Sequence, residues 1–203
     1  MDESITLECL SGEALLPHLD AVAALRIAVF ADWPYLYDGD PAYEREYLDA
    51  YARSARSVVV LARDGDGIVG ASTGIPLAED APAFQAPFPA RGLDPARVFY
   101  CGESVLLPAY RGRGVGHAFF DAREAHARRL GGFDWIAFAA VEREEDDPRR
   151  PAASRGNEAF WTGRGYVRQP GMRMHLHWPE RGRGDIEHPL TFWLRPLGEE
   201  AHA

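Results

Sequence analysis

The residues best suited to chemistry lie between Val98 and Leu130. The run Arg111-Gly112-Arg113-Gly114-Val115-Gly116 places two arginines among three glycines, just before a segment of helical character that starts at about Gly114. Glycines let backbone N–H groups come close to a ligand, and a helix N-terminus favours an anion. The combination suits a phosphate or pyrophosphate. Two common phosphate motifs do not fit. A P-loop needs Gly-x4-Gly-Lys-Ser/Thr, and this chain has no lysine: all 22 of its basic residues are arginine. The dinucleotide fingerprint Gly-x-Gly-x-x-Gly fails as well, because its last position falls on His117 when counted from Gly112 and on Phe119 when counted from Gly114.

Other side chains invite a chemical reading. Glu103 sits in the otherwise apolar run Val98–Pro108, where a carboxylate needs a reason. It is a candidate general base; it could equally pair with a core arginine or cap a backbone bulge. Cys101, two residues earlier and nominally on the same strand face, is a nucleophile or inert packing. His175 and His177 share a strand face, but a metal site needs at least one further ligand, and no metal is expected. The segment Asp32-Trp33-Pro34-Tyr35-Leu36-Tyr37-Asp38-Gly39-Asp40 is dense in aromatic and acidic residues. Trp33, Tyr35, Tyr37 and Asp38 are candidates for a substrate-facing wall. Tyr43, Tyr47 and Tyr51 recur at i, i+4, i+8 and read as packing.

The elements that must position these groups are legible in outline. A strand is expected over Ile5–Leu10, and a helix from Gly12 to about Ala31 whose apolar stripe is core rather than site. Asp40 caps a second helix that starts at Pro41. Val58–Ala62 and Ile68–Ile75 form a hairpin around Asp64-Gly65-Asp66-Gly67. Residues 76–97 carry five prolines and no clear period, so they read as an insertion that either covers an active site or runs over the surface. The central strand, the glycine run and a helix to Leu130 follow, then Gly131-Gly132 as a stop and an apolar strand over Phe133–Val141. Glu142–Asp147 is nearly all charge and reads as a solvated loop. A helix from about Ala153 to Thr162, a strand over Tyr166–Trp178, a turn-rich stretch Arg181–Pro189 and a closing strand Leu190–Leu197 complete the chain.

Composition narrows the function classes. A chain of 203 residues, 46% hydrophobic, suits one domain with a sizeable core. A net charge of −9 argues against nucleic acid as the main partner. Two cysteines do not make a disulfide framework and suit free thiols in a reducing cytoplasm. Met1-Asp2-Glu3-Ser4 lacks the features of a secretory leader, and no apolar run reaches membrane-spanning length, so no membrane partner is expected.

The stretch Leu106-Leu107-Pro108-Ala109-Tyr110-Arg111-Gly112-Arg113-Gly114-Val115-Gly116 resembles the acetyl-CoA-binding motif of the GNAT acyltransferase superfamily, Arg/Gln-x-x-Gly-x-Gly/Ala after a strand. The order of elements resembles that family over most of the chain. The resemblance implies an α+β fold, residues 1–203 as one domain, with a mixed central sheet of about seven strands splayed in the middle and about four flanking helices. Val105, Leu106 and Leu107 would then offer backbone groups to the pantetheine arm of acetyl-CoA or another acyl-CoA. The N–H groups of Arg113, Gly114, Val115, Gly116 and His117, with the turn at Gly112, would hold the pyrophosphate, helped by the Arg111 and Arg113 side chains. Glu103 would be the base, and the N–H near Leu106 the oxyanion donor. The implied reaction is acetyl transfer to a primary amine by direct attack in a ternary complex, and the acidic, aromatic loop at 32–40 points to a small cationic acceptor held by carboxylates and aromatic faces. The alternative is a CoA-binding module without catalysis. One feature departs from the family: Trp161 stands where a tyrosine acid is usual, leaving Tyr100, Cys101 or Tyr166 as acid, or thiolate departure. A homodimer through the closing strand is a further expectation.

Overall fold

The computed structural model describes residues 5–198; Met1–Ser4, read above for a leader, lie outside them. The strands are β1 (Thr6–Leu10), β2 (Val58–Asp64), β3 (Gly67–Pro76), β4 (Val98–Tyr100), β5 (Ser104–Leu106), β6 (Trp135–Val141), β7 (Val167–Glu180) and β8 (Gly184–Pro196). The helices are α1 (Leu19–Phe30), α2 (Pro41–Arg53), the single turn α3 (Pro82–Gln85), α4 (Val115–Leu130) and α5 (Glu158–Gly163). The strands form one open mixed sheet in the order β1-β2-β3-β4-β6-β8-β7, with β5 paired only to β3. Counting β4 and β5 as one broken line gives the expected seven. No helix among the described residues is long and apolar enough to cross a membrane.

Helices cover both faces of the sheet. Phe119, Phe120 and Ala127 of α4 pack with Val58, Val60, Phe138 and Tyr166 on one side. On the other, α1 and α2 place Val22, Leu25, Leu48 and Tyr51 against Val59, Leu61 and Ala71. A third cluster joins the 76–97 insertion to the far half of the sheet: Leu77 and Phe88 are fully buried against Tyr100, Met174 and Phe192. The insertion is therefore part of the core, not a surface excursion.

Several boundaries differ from expectation, each for a local reason. The first helix begins as a 3₁₀ segment at Gly12–His18 and becomes α-helical only after Pro17, which cannot donate an interior helix bond. The last helix is short because Gly156-Asn157 turns the chain before Glu158. The turn-rich stretch shrinks to residues 181–183, with Gly182 inside it and Gly184 at the start of β8 both at positive φ, and Pro189 lies inside β8 opposite His175. The closing strand is not exposed: β8 is sandwiched between β6 and β7, so β7 is the edge. Asp40 caps α2 as expected, its side chain accepting from the N–H groups of Ala42 and Tyr43.

The break between β4 and β5 shapes the site. At Cys101–Glu103 the chain leaves regular strand geometry. The Thr73 N–H donates to the Glu103 carbonyl at 3.0 Å, and the Glu103 N–H donates to Thr73 Oγ1 at 3.2 Å. The buried Arg123 guanidinium of α4 supports the same carbonyl from below, at 3.1 Å. Gly102 is required here: a Cβ would overlap the hydroxyls of Tyr47, Tyr51 and Thr73.

Candidate active site

The central strands part in the middle of the sheet. β4 runs parallel to β6 as far as Tyr100 opposite Ala137, and the Cys101 N–H still reaches the Ala137 carbonyl at 2.8 Å. Beyond that point β5 bonds to β3 while β6 bonds to β8. A wedge-shaped gap opens between β5 and β6. The Leu107 N–H is spent on the Val69 carbonyl at 3.0 Å. The two-residue alternation of a strand then turns the Val105 N–H toward β3 as well and the Leu106 N–H into the gap. Of the three residues expected to face a pantetheine arm, Leu106 is the one whose backbone turns into the gap. Its carbonyl, on the same edge, accepts from Arg111 Nε at 3.1 Å.

The gap leads to the N-terminus of α4. Gly112 and Gly114 both have positive φ (77° and 82°), and Gly114 is the N-cap, with no side chain capping the helix. The first intrahelical donor is the Ala118 N–H, bonded to the Gly114 carbonyl. The N–H groups of Val115, Gly116 and His117 therefore point out of the helix end, as an anion site requires. Arg113 lies over the Tyr110 ring, 5.4 Å from its centroid, and Tyr110 donates to Asp64 at 2.7 Å. The His117 ring packs edge-on against Phe160 of α5 at 4.8 Å. The donor set fits a pyrophosphate.

Across the sheet from α4 lies a cavity of about 90 Å³. The loop at 32–40, α1, α2, the insertion and strands β6 to β8 all contribute to its wall. Tyr35 and Tyr37 line it; Trp33 and Asp38 do not. Arg143 fixes the loop by donating to the carbonyls of Pro34 and Tyr35 at 2.6 and 3.0 Å while pairing with the buried Glu180. Residue 143 belongs to the stretch expected to be a solvated loop, and the structure corrects that reading: its guanidinium holds an otherwise irregular segment against β7. Trp178 Nε1 donates to the same Tyr35 carbonyl at 3.1 Å.

Glu103 faces this cavity, and so does a group that the sequence did not single out. Arg26 of α1 is 6% exposed and sits between two carboxylates, Glu103 and Glu44, paired with both. Tyr47 donates to Glu103 at 2.8 Å and contacts Tyr51 through their hydroxyls at 3.0 Å. Tyr37 accepts from the Asp40 N–H at 3.0 Å. The Arg26 guanidinium also lies over the Tyr47 ring at 4.1 Å. Two expectations change accordingly. The stripe of the first helix contributes Arg26 to the site, and Tyr47 and Tyr51 are hydrogen-bonding partners as well as packing, whereas Tyr43, expected to pack with them, is exposed. The signal was present: Arg26 is the one basic residue in LDAVAALRIAVF, and Glu44, Tyr47 and Tyr51 share a helix face.

The acid candidates separate. Tyr100 ends β4 at the apex of the gap and lines the cavity; burial pushes its hydroxyl well above the usual phenol range, so it stays protonated. Tyr166 is buried on the other face, donates to Glu124 at 3.2 Å, and is likewise pushed up by burial. Cys101 packs on that face too, against α4 rather than beside Glu103, because the break at Gly102 reverses the strand's alternation. Burial raises its thiol to about 11, which suits packing, not nucleophilic attack. Trp161 packs between Phe138 and Trp193, at 4.9 and 5.1 Å. His175 and His177 are both exposed on β7, and no group of three ligating side chains that could hold a metal occurs among the described residues.

Comparisons with known proteins agree with this geometry. The family model for the acetyltransferase (GNAT) family matches residues 24–156. A search of curated protein sequences returns no match. Among solved structures, an N-acetyltransferase from Staphylococcus aureus is 12% identical with a TM-score of 0.60, covering 96% of this chain and 99% of its own. The ribosomal-protein-alanine N-acetyltransferase of Brucella melitensis is 14% identical with a TM-score of 0.59, over 94% and 99%. The yncA protein of Salmonella typhimurium, solved with its cofactor acetyl-CoA, is 15% identical with a TM-score of 0.55, over 96% of each chain. At these identities the likeness is one of fold.

Proposed function

The chain belongs to the acetyltransferase (GNAT) family, and from that premise we propose that it is an acyl-CoA-dependent N-acyltransferase, moving acetyl from acetyl-CoA to the primary amine of a small cationic acceptor. One observation carries the reading: the gap between β5 and β6 joins a glycine-capped helix N-terminus on one side to a cavity bearing Glu103 on the other. The free thiols of Cys9 and Cys101 suit a reducing cytoplasm.

In this scheme the first-turn N–H groups of α4 bind the pyrophosphate and Leu106 lines the thioester arm. The amine nitrogen attacks the thioester carbon from the cavity, the C–N bond forms and the C–S bond breaks. The Leu106 N–H stabilises the carbonyl oxygen as charge develops on it. An ammonium acceptor gives up two protons in all. One goes to Glu103 and on to solvent. The other leaves the nitrogen as the tetrahedral intermediate collapses and reprotonates Tyr100, whose own proton has gone to the departing thiolate. Glu103 holds Arg26 with one oxygen and Tyr47 with the other, and each oxygen keeps a further lone pair on which it can take a proton. Arg26 keeps Glu44 throughout and is never left as an unpaired buried charge.

Calorimetric titration with acetyl-CoA, free CoA and ATP, followed by Glu103→Gln, tests the proposal. Saturable one-to-one binding of acetyl-CoA with weak ATP binding is expected. The glutamine variant should keep that affinity and lose about 100-fold or more in kcat. Binding without turnover of any amine would favour a CoA-binding module, the reading that Trp161 in the usual tyrosine position supports. Absence of CoA binding would remove the proposal altogether.

A further inference from the structure

The cavity's charge inventory narrows the acceptor, given the acyltransferase reading above. Three of the residues lining it carry a full charge: Arg26, Glu44 and Glu103. The single cation is already committed to both anions. The cavity wall therefore holds one negative charge in excess, and both carboxylates are at most 9% exposed. An uncompensated carboxylate in such a place is costly unless a cation joins it or it takes up a proton. Burial does raise the Glu44 carboxyl above its usual range, more than Arg26 and Tyr37 offset.

The rest of the wall is apolar or aromatic. Phe84, Met174, Leu176 and Leu190 offer no charge, and Tyr35 and Trp178 stand 5.7 Å apart as neighbouring ring faces. Burial keeps the Tyr35 hydroxyl neutral, pushed up to about 12. Arg143, the nearest cation behind the loop, is spent on Glu180 and on two carbonyls and does not line the cavity. A ligand carboxylate would thus enter an already anionic cavity with no free cation to meet it. A second ammonium would lie against hydrocarbon with no second surplus anion among the residues lining the cavity.

From this we infer that the acceptor is a monoamine on a flat, uncharged apolar body, an arylalkylamine without a carboxylate, whose single ammonium balances the surplus charge of Glu44 and Glu103. The ammonium is the anchor, and the aromatic wall sets the shape. Free amino acids and polyamines are disfavoured by the same inventory, one for its carboxylate and the other for its second charge.

The test is a matched panel on the intact protein with saturating acetyl-CoA: 2-phenylethylamine, phenylalanine and 1,4-diaminobutane. Turnover is read by thiol release, and binding by quenching of tryptophan fluorescence in the presence of CoA. A kcat/KM at least about 100-fold higher for 2-phenylethylamine than for the other two is expected, a margin equal to about 2.7 kcal/mol. Glu44→Gln should raise the Kd of 2-phenylethylamine about tenfold and leave that of phenylalanine unchanged or lower. Equal or better use of phenylalanine or the diamine overturns the inference while leaving the acyltransferase standing. If nothing in the panel is turned over, the binding series decides: preferential binding of the monoamine supports the inference, and equal or undetectable binding of all three overturns it. Failure of acetyl-CoA to bind in the separate calorimetric titration would instead bring down the reading on which this one rests.

Discussion

Arg26 and Glu103 meet across the face of the sheet, one from the middle of α1 and the other from the break between β4 and β5, and Glu44 of α2 takes the opposite side of the same guanidinium. The pairing links two helices to the point where the central strands part, so fold and site share one interaction. Arg26→Met would leave two buried carboxylates without their cation. The expected cost is about 3–5 kcal/mol, measured by urea unfolding at neutral pH. Adding Glu44→Gln to that variant should recover part of the loss, because one of the two stranded charges is then gone. A double variant no more stable than Arg26→Met alone would mean that Glu44 does not share the arginine in solution.

Gly114 and Gly116 belong to the same glycine run and should respond differently. Gly114 has φ +82° and open space where a Cβ would point, so alanine there costs backbone strain and not a clash. Gly116 has ordinary helical φ, and a Cβ would meet only Phe160 at 3.9 Å. Gly114→Ala should raise the acetyl-CoA Kd about tenfold, a left-handed position costing an alanine roughly 1–2 kcal/mol. Gly116→Ala should change it by less than about threefold, since alanine suits the helix at least as well as glycine and meets no clash. Calorimetric Kd values for the pair decide; equal effects would show that the turn does not hold its conformation for the ligand.

Much of this was readable in the sequence because it is local. The glycine run, the Asp40 cap and the Gly131 stop depend on neighbours a few residues away, and each lies where its pattern indicates. What escaped depends on chain brought from afar. Arg26 looked like a flaw in an apolar stripe because its partners are 18 and 77 positions away, at Glu44 and Glu103. Arg143 looked solvated because its neighbours in sequence are acidic, whereas its actual partners are loop carbonyls and Glu180. Pro189 suggested a turn, yet strand pairing over most of the hairpin outweighed one missing N–H. The pairing of Cys101 with Glu103 on one face failed because period two does not survive a break at glycine.

Asp80 gives the molecule a pH dependence of its own. It follows β3, one oxygen accepts from the Ala81 N–H, and the other is buried with no hydrogen-bond partner among the described residues. Burial raises its carboxyl to about 6, against an ordinary value of 3.8. The folded state therefore binds this proton more tightly than the unfolded chain does. The stabilisation is complete below about pH 4 and is lost as pH rises through 6. The full difference would be about 3 kcal/mol, and partial solvent access reduces it to roughly 1–2 kcal/mol. Asp80→Asn should accordingly gain that much relative to wild type between pH 4.5 and pH 8. Parallel unfolding curves with a constant offset across that range would exclude the assignment.

Tyr100 and Tyr166 are both buried and both protonated, and they belong to core clusters on opposite faces of the sheet. Only Tyr100 lines the cavity and stands at the apex of the gap where a thiolate would leave. Tyr166 donates to Glu124, itself paired with Arg164 and Arg195. Removing each hydroxyl should therefore separate catalysis from stability. Tyr100→Phe is expected to lower kcat about 100-fold with an unchanged acetyl-CoA Kd and a small change in unfolding free energy. Tyr166→Phe should keep kcat within about twofold and cost about 1.5–3 kcal/mol of stability for the lost hydrogen bond to a charged partner. The measurements are steady-state rates with the preferred amine and urea unfolding of both variants. Full activity in Tyr100→Phe would move the last proton to solvent and leave the thiolate to depart without an acid.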